Sequence, residues 1–116
     1  MENKYLIVLT TVGTKQFASD LAHSIVSARL AACVQMQAVE SVYRWKGEVC
    51  SEPEWRLAIK TSEGRYAELE QHIRANHSYE LPEIVRLPVT GGSREYLAWI
   101  GECVGERDER GLESQR

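Results

Sequence analysis

The segment Tyr43-Arg44-Trp45-Lys46-Gly47-Glu48 lies at the centre of the longest extended stretch in this chain of 116 residues. The dipeptide Lys46-Gly47 predicts a tight hairpin turn, because glycine adopts positive φ without steric cost. Residues 32–45 before the turn and the return strand from Val49 to Thr61 are rich in residues that favour strands. We therefore expect a long antiparallel hairpin. It exceeds what one small helix-covered sheet needs, so its outer part would project and contact a partner.

Two features interrupt the regular pattern of this hairpin. Apolar and polar residues alternate imperfectly around residues 39–41, which predicts a bulge or a bend. Pro53 has no N–H group to donate to a neighbouring strand, which predicts an edge position or a bulge at that point.

Five further elements flank the hairpin, and each is predicted from apolar periodicity and from residues that begin or end helices. In chain order the prediction is a buried strand over residues 4–12, a helix from the N-cap Thr14 to about Leu30, the hairpin, a helix over about 63–76 capped by Ser62, a strand over 84–89, and a final short helix capped by Ser93 and continuing through Ile100.

This order of elements predicts an α+β fold of the split βαβ, or ferredoxin-like, type with an extra C-terminal helix. Right-handed crossovers place both main helices on one face of a four-stranded antiparallel sheet. The other face then has no helices to cover its Tyr, Trp, Val and Met side chains. A patch of that size usually indicates association. We therefore expect a homo-oligomer formed through the sheets and the long hairpin.

Composition and charge exclude several classes of function. The 14 basic residues are scattered and the net charge is −3, which disfavours nucleic acid as a partner, because a phosphate-binding surface needs clustered Lys and Arg. RNA-recognition modules share the strand order, but residues 54–60 lack the aromatic and basic pattern of such modules. No apolar run reaches the roughly 18 residues of a membrane span. No signal-peptide pattern precedes the first strand, so we expect a cytoplasmic protein with no membrane partner.

Cysteine spacing and the polar C-terminal tail limit the kinds of site and the extent of the domain. The three cysteines form no CxxC pair, so neither a zinc knuckle nor a dithiol redox site is predicted. Residues 1–104 are expected to form a single domain. The tail over residues 105–116 has too few apolar side chains to offset its ordering entropy, and we expect it to be mobile.

The densest group of reactive side chains is the segment His77-Ser78-Tyr79-Glu80-Leu81-Pro82-Glu83-Ile84, between the second helix and the fourth strand. His77 is the candidate metal ligand, since imidazole binds copper, nickel and zinc. The alternative is a structural role, in which His77 caps the second helix or hydrogen-bonds a neighbouring carbonyl. The carboxylates Glu80 and Glu83 are able to do acid–base work or to pair with Arg or Lys at a subunit contact.

A second candidate group begins the second strand. Cys33 is either a small buried hydrophobe or a thiolate activated by Lys60 or His77. Lys60 at the end of the third strand is a candidate partner for Glu80. With Tyr79 beside it, that pair would form a polar ligand pocket at a subunit boundary. The predicted ligand-binding residues are therefore Cys33, Lys60, Tyr79 and Glu80.

Several short motifs, in order and at the right intervals, resemble the CutA family, the divalent-cation tolerance proteins. The resemblance runs from about Val8 to Trp99, most of the chain. It rests on Val8-Leu9-Thr10-Thr11, Arg29-Leu30-Ala31-Ala32-Cys33-Val34, Tyr43-Arg44-Trp45-Lys46-Gly47-Glu48, Leu57-Ala58-Ile59-Lys60-Thr61, the segment 77–84, Leu87-Pro88-Val89 and Tyr96-Leu97-Ala98-Trp99-Ile100.

The resemblance implies a homotrimer like that of the PII signalling proteins, with sheets facing inward, and a link to tolerance of copper and other divalent metals. It also has departures. Ser78 stands where the family usually has proline, so His77 is less rigidly aimed. Thr10 and Asn76 stand where members with a proposed copper site can carry Cys and a second His. This chain is therefore a poorer copper candidate than the family name suggests.

The leading functional prediction is a non-enzymatic cytoplasmic trimer that binds copper, another divalent cation or a small ligand at subunit boundaries. The alternative is a structural or interaction trimer, a protein-binding or signalling scaffold without physiological metal binding. No nucleophile-elbow, Walker, Rossmann or zinc-protease signature indicates an enzyme.

Overall fold

The computed structural model describes residues 4–105, and their elements follow the predicted order. The sheet is antiparallel with strand order β2-β3-β1-β4, which confirms the ferredoxin-like α+β prediction. The elements are β1 (Tyr5–Val12), α1 (Lys15–Ser27), β2 (Cys33–Trp45), β3 (Glu48–Ser62), a 3₁₀ turn (Glu63–Arg65), α2 (Tyr66–Asn76), β4 (Val85–Pro88) and α3 (Arg94–Cys103).

The predicted mobile tail, residues 105–116, lies outside the described residues except for Gly105. Among the helices of residues 4–105, none is both long and apolar enough to cross a membrane.

The core lies between one face of the sheet and the helices α1 and α2. Strand residues contribute to it with period two and helix residues with spacings of three and four, as the two geometries require. Each fully buried Leu or Ile side chain contributes roughly 1.5–3 kcal/mol of burial free energy. The buried residues of this cluster include Val8 and Val12 of β1, Leu57 and Ile59 of β3, Ala18, Leu21, Ala22 and Ile25 of α1, and Leu69 and Ile73 of α2.

Helix α1 begins as predicted but ends three residues early. The Thr14 side chain accepts a hydrogen bond from the Phe17 N–H at 3.1 Å, which satisfies one free donor of the first turn. At the other end Arg29 has φ 59°, and the N–H groups of Arg29 and Leu30 donate to the carbonyls of Val26 and Ile25. This is a Schellman ending, whose left-handed position usually holds glycine. The sequence prediction missed it because an arginine occupies that position.

Replacing Arg29 by glycine is expected to raise the free energy of unfolding by about 0.5–1 kcal/mol. The left-handed conformation costs an L-residue roughly 1–2 kcal/mol, and the greater unfolded-state entropy of glycine offsets part of the gain. Urea unfolding at fixed protein concentration measures the change. Arg29→Ala is the matched control, because it removes the same side chain but keeps the Cβ. Equal stability of the two variants would contradict the assignment of strain to this position.

The hairpin register is unbroken over all 13 residues of β2. Val39, Glu40 and Ser41 pair in sequence with Glu54, Pro53 and Glu52, so the bulge or bend predicted at residues 39–41 is wrong. The imperfect alternation reflects mixed exposure of the strand rather than an extra residue. No bulge occurs at Pro53 either, but its predicted edge position is correct. Counted from the turn, Pro53 belongs to a pair that exchanges no hydrogen bonds, and its ring nitrogen faces away from β2.

The turn itself has φ 49° at Lys46 and 82° at Gly47, the two positive values of a type I′ turn. Strand β1 pairs with β3 only over residues 55–62, so the part of β3 from Glu48 to Glu54, with its partner residues on β2, extends beyond β1. The described residues have a radius of gyration of 15.3 Å, against about 13 Å for a compact domain of this length. The projecting hairpin predicted from the sequence accounts for the difference.

Helices α2 and α3 differ in how they begin. Ser62 precedes a 3₁₀ turn and makes no side-chain capping bond, so the predicted α-helix over 63–76 begins only at Tyr66. Ser93 caps α3 as predicted, and its Oγ accepts from the Tyr96 N–H at 3.3 Å. Strand β4 is one residue shorter at each end than the predicted 84–89.

Candidate functional site

The five predicted site residues lie in three places within one protomer. His77 and Tyr79 lie near the carboxyl end of β1, where the His77 ring contacts the Thr11 carbonyl. Cys33 and Lys60 are cross-strand partners, and Lys60 also pairs with Ile7 near the other end of β1. Glu80 lies against the hairpin turn. The structure therefore forms two pairs from these residues, leaves Glu80 apart, and does not form one pocket from all five.

Both ring nitrogens of His77 are engaged. Nε2 lies 2.8 Å from the Thr11 carbonyl oxygen and Nδ1 lies 3.1 Å from the backbone nitrogen of Tyr79. A carbonyl only accepts and a backbone N–H only donates, so the neutral imidazole carries its proton on Nε2 and accepts at Nδ1. His77 thus follows α2 and ties the 77–84 segment to β1, as the structural alternative for this residue predicts.

The Tyr79 phenol is fixed by a buried carboxylate. Its OH donates to Glu54 Oε2 at 2.8 Å, its ring lies 4.7 Å from the His77 ring, and Glu54 is only 8% exposed. Burial, and then the hydrogen bond and negative charge of Glu54, raise the pKa of Tyr79 well above its usual range. The phenol therefore stays protonated and acts as a donor.

Glu54 is a site residue that the sequence prediction missed. A carboxylate between Pro53 and Trp55 in a strand gives no local sign of burial, because its phenol partner is 25 residues away in the chain. The same face of the hairpin carries a second phenol–carboxylate pair. Tyr43 OH donates to Glu52 Oε1 at 2.6 Å, and this bond is the main reason that the pKa of Tyr43 is raised to about 12.

Glu80 forms an exposed ion pair with Lys46, with 3.8 Å between Glu80 Oε2 and Lys46 Nζ. Their side chains are 75% and 71% exposed, so the pair contributes little to stability. Within the protomer Lys60 Nζ bonds the hydroxyl of Tyr96, not Glu80. The predicted pairing of Lys60 with Glu80 would therefore have to form between subunits.

The group around Lys60 includes two aromatic residues that the site prediction did not name. Lys60 Nζ lies 3.2 Å from the Tyr96 hydroxyl and 5.2 Å from the centre of its ring. The Tyr96 and Trp99 rings are 5.3 Å apart. All of these side chains, and Cys33 across the strand pair, are half-buried. A pattern of Ser93-capped helix with aromatics at 96 and 99 was visible in the sequence, but nothing in it indicated that α3 lies against Lys60.

Within residues 4–105 of one protomer, no three His, Cys, Asp or Glu side chains come close enough to hold a metal ion. Three free cysteines, Cys33, Cys50 and Cys103, are half-buried. One protomer therefore provides a tethered imidazole, a buried phenol–carboxylate pair, and the half-buried Lys60 beside the Tyr96 ring.

The chain is similar to known proteins in both sequence and structure. The family model described as CutA1 divalent ion tolerance protein matches residues 6–103. The divalent-cation tolerance protein CutA of Thermus thermophilus is 42% identical over 100 residues, which cover 85% of this chain and 97% of that protein. The chloroplastic protein CutA of Arabidopsis thaliana is 45% identical over 96 residues, 82% of this chain. This chain spans about half the length of that plant relative, 53%.

Solved structures agree with the fold. The CutA1 structure from the psychrotrophic bacterium Shewanella sp. SIB1 has a TM-score of 0.85 and 38% identity, and the match covers 89% of this chain and 97% of that one. A structure described as the PII-like protein CutA from Nostoc sp. PCC 7120 in apo form has a TM-score of 0.81 and 37% identity, with 85% and 96% covered.

Proposed function

Because this chain belongs to the CutA1 divalent ion tolerance protein family, we propose that it is a non-catalytic cytoplasmic homotrimer that binds a divalent metal ion or a small ligand at its subunit boundaries. Copper is the metal that the resemblance favours. Cys33, Lys60, His77, Tyr79 and Glu80 are the residues proposed to contribute to these sites.

The observation that carries the proposal is the second face of the sheet, which neither α1 nor α2 covers. Alternation along β1 and β4 places Ile7, Leu9, Val85 and Leu87 on the face opposite α1 and α2. Val85 is 45% exposed and Leu87 is 43% exposed, although both are apolar residues of β4. Covering this surface with other copies of the chain removes it from water.

Ligand binding at the boundaries is supported by the charged and thiol side chains on that face. Lys60 and Cys33 are on the same side of the sheet as Ile7, so a second copy packed there would reach them. A metal ion needs several ligands, which separate subunits would have to supply in addition to any residue of one protomer.

A second candidate function is a trimeric interaction scaffold without physiological metal binding. The specific observation in its favour is the state of His77. A metal at either ring nitrogen would have to break the bond to the Thr11 carbonyl or the bond from the Tyr79 N–H. A ligand that is already satisfied on both sides is a poor candidate for metal capture.

Native mass spectrometry of untagged protein, purified without chelator and then incubated with copper, tests assembly and metal binding together. The proposal predicts a trimer that retains copper, and a smaller copper load in His77→Ala. The matched control is His23→Ala, which removes an exposed imidazole whose ring nitrogen bonds the Ser19 carbonyl on α1.

Each outcome of this measurement has a different consequence. A monomer would contradict the proposed boundary sites. A trimer whose copper load is the same in both histidine variants would remove His77 from the metal site. A trimer that retains no copper would favour the scaffold.

A further inference from the structure

Lys60 is a half-buried lysine in the second half of β3. Its neighbours in β3, Ile59 and Thr61, are fully buried against the helices, so alternation directs Lys60 to the opposite face. Its cross-strand partners there are Cys33 on β2 and Ile7 on β1. The charge therefore lies among a thiol and apolar side chains rather than among other charged groups.

Within residues 4–105, no carboxylate lies within ion-pair distance of Lys60 Nζ. Its hydrogen bond is to the hydroxyl oxygen of Tyr96, which is not a carboxylate. An ammonium has three donors, and a partly desolvated cation gains most from an anionic acceptor. Lys46, which also lies over an aromatic ring, has such an acceptor in its ion pair with Glu80.

The Tyr96 ring beside Lys60 is extended by the neighbouring Trp99 ring into one aromatic surface. Tyr96 and Trp99 lie one turn apart on α3 with an interplanar angle of 39°, and both are half-buried. The hydrogen bond from Lys60 to Tyr96 holds α3 against the sheet, so the aromatic surface keeps a fixed position relative to the charge. An aromatic surface of this kind favours a flat apolar body.

We propose that Lys60, Tyr96 and Trp99 form a subsite for a small organic carboxylate, with its carboxylate at the Lys60 ammonium and its flat apolar body against the two rings. This inference deepens the ligand-binding part of the proposed function. It assigns the chemical class of a ligand and adds Tyr96 and Trp99 to the residues that hold it.

Isothermal titration calorimetry of the full chain with benzoate tests the subsite. Benzyl alcohol, which lacks the charge, and inorganic phosphate, which lacks the ring, are the comparison probes. Benzoate is expected to bind most tightly of the three. Lys60→Met, which keeps length but removes the charge, is expected to weaken benzoate binding about tenfold or more, the usual effect of losing a charged hydrogen bond.

Lys15→Met is the matched control, because Lys15 also lies over an aromatic ring, 5.6 Å from the centre of Trp55, but on α1. It is expected to leave benzoate affinity unchanged. Lys60→Arg is expected to restore most of the affinity. Trp99→Leu should reduce the preference for benzoate over phosphate, and it serves as an independent test if Lys60→Met does not fold by circular dichroism.

Three results would overturn the subsite: no benzoate binding by the folded wild-type chain, equal affinity in Lys60→Met and Lys15→Met, or equal affinity for phosphate and benzoate. Sedimentation of the same samples separates this inference from the proposed assembly. A trimer that does not bind benzoate overturns the subsite alone. A monomer that binds it overturns the assembly alone, since Lys60, Tyr96 and Trp99 belong to one chain.

Discussion

Thr61→Val is expected to lower the free energy of unfolding by about 1–3 kcal/mol. Thr61 is fully buried, and its Oγ1 donates to the Leu30 carbonyl at 2.7 Å. Leu30 is the residue that follows the left-handed end of α1, so the bond fixes this helix ending to β3. Valine keeps the shape of threonine but leaves a buried carbonyl without that donor. Urea unfolding at fixed protein concentration measures the loss.

Thr10→Val is the matched control for this experiment, and its expected effect has the opposite sign. Thr10 is also fully buried on the helix-facing side of the sheet, opposite Leu57, but its Oγ1 has no hydrogen-bond partner within residues 4–105. Removing an unsatisfied buried hydroxyl is expected to raise stability by about 1 kcal/mol. If the two variants shift stability in the same direction, hydrogen bonding does not explain the difference between these threonines.

Tyr79→Phe is the second large effect, with an expected loss of about 1–3 kcal/mol in the free energy of unfolding. The variant removes the donor that satisfies the carboxylate of Glu54, a residue that is only 8% exposed. A buried carboxylate without its donor costs more than a neutral group does. Combining the change with Glu54→Gln should recover part of the loss, because the uncompensated charge is then absent.

The same residue predicts a dependence on alkaline pH. The pKa of Tyr79 is raised in the folded protein, chiefly by burial and then by Glu54. A raised pKa means that the folded state binds the proton more tightly. Its stabilising contribution is therefore complete below the ordinary phenol pKa of about 10 and is lost as the pH rises above it.

Unfolding measured from pH 9 to 11 should therefore show a steeper loss of stability in the wild type than in Tyr79→Phe. Tyr43→Phe is the comparison and is expected to change the profile less, because its raised pKa arises in the solvent-exposed Tyr43–Glu52 pair, which water screens. A parallel pH profile for wild type and Tyr79→Phe would contradict the inference that the Tyr79 phenol titrates differently in the two states.

The order of elements was predictable because each depends on local signals. The Thr14 and Ser93 caps and the Lys46-Gly47 turn each lie at the residue that the sequence indicates. Errors occurred where a local rule was broken. Arg29 takes a conformation that glycine usually takes, and an imperfect alternation at residues 39–41 proved compatible with regular pairing.

The site was predictable only as a set of residue types. His77 and Tyr79 are two residues apart, so their contact follows from the sequence. Glu54 is distant from Tyr79 in the chain, and Tyr96 is 36 residues from Lys60. Such pairs depend on how the 77–84 segment and α3 return to the sheet, which no periodicity encodes. The predicted roles of Cys33, Lys60, His77, Tyr79 and Glu80 stay predictions.

The unbroken hairpin sets a strict rule for length. Side chains alternate along a strand, so one residue added to either arm would turn every side chain beyond it to the opposite surface. Cys33, at the far end of β2, owes its placement opposite Lys60 to an uninterrupted count from Lys46-Gly47. A single insertion in one arm of this ribbon should therefore be tolerated less well than a matched pair, one in each arm, which keeps the cross-strand pairing.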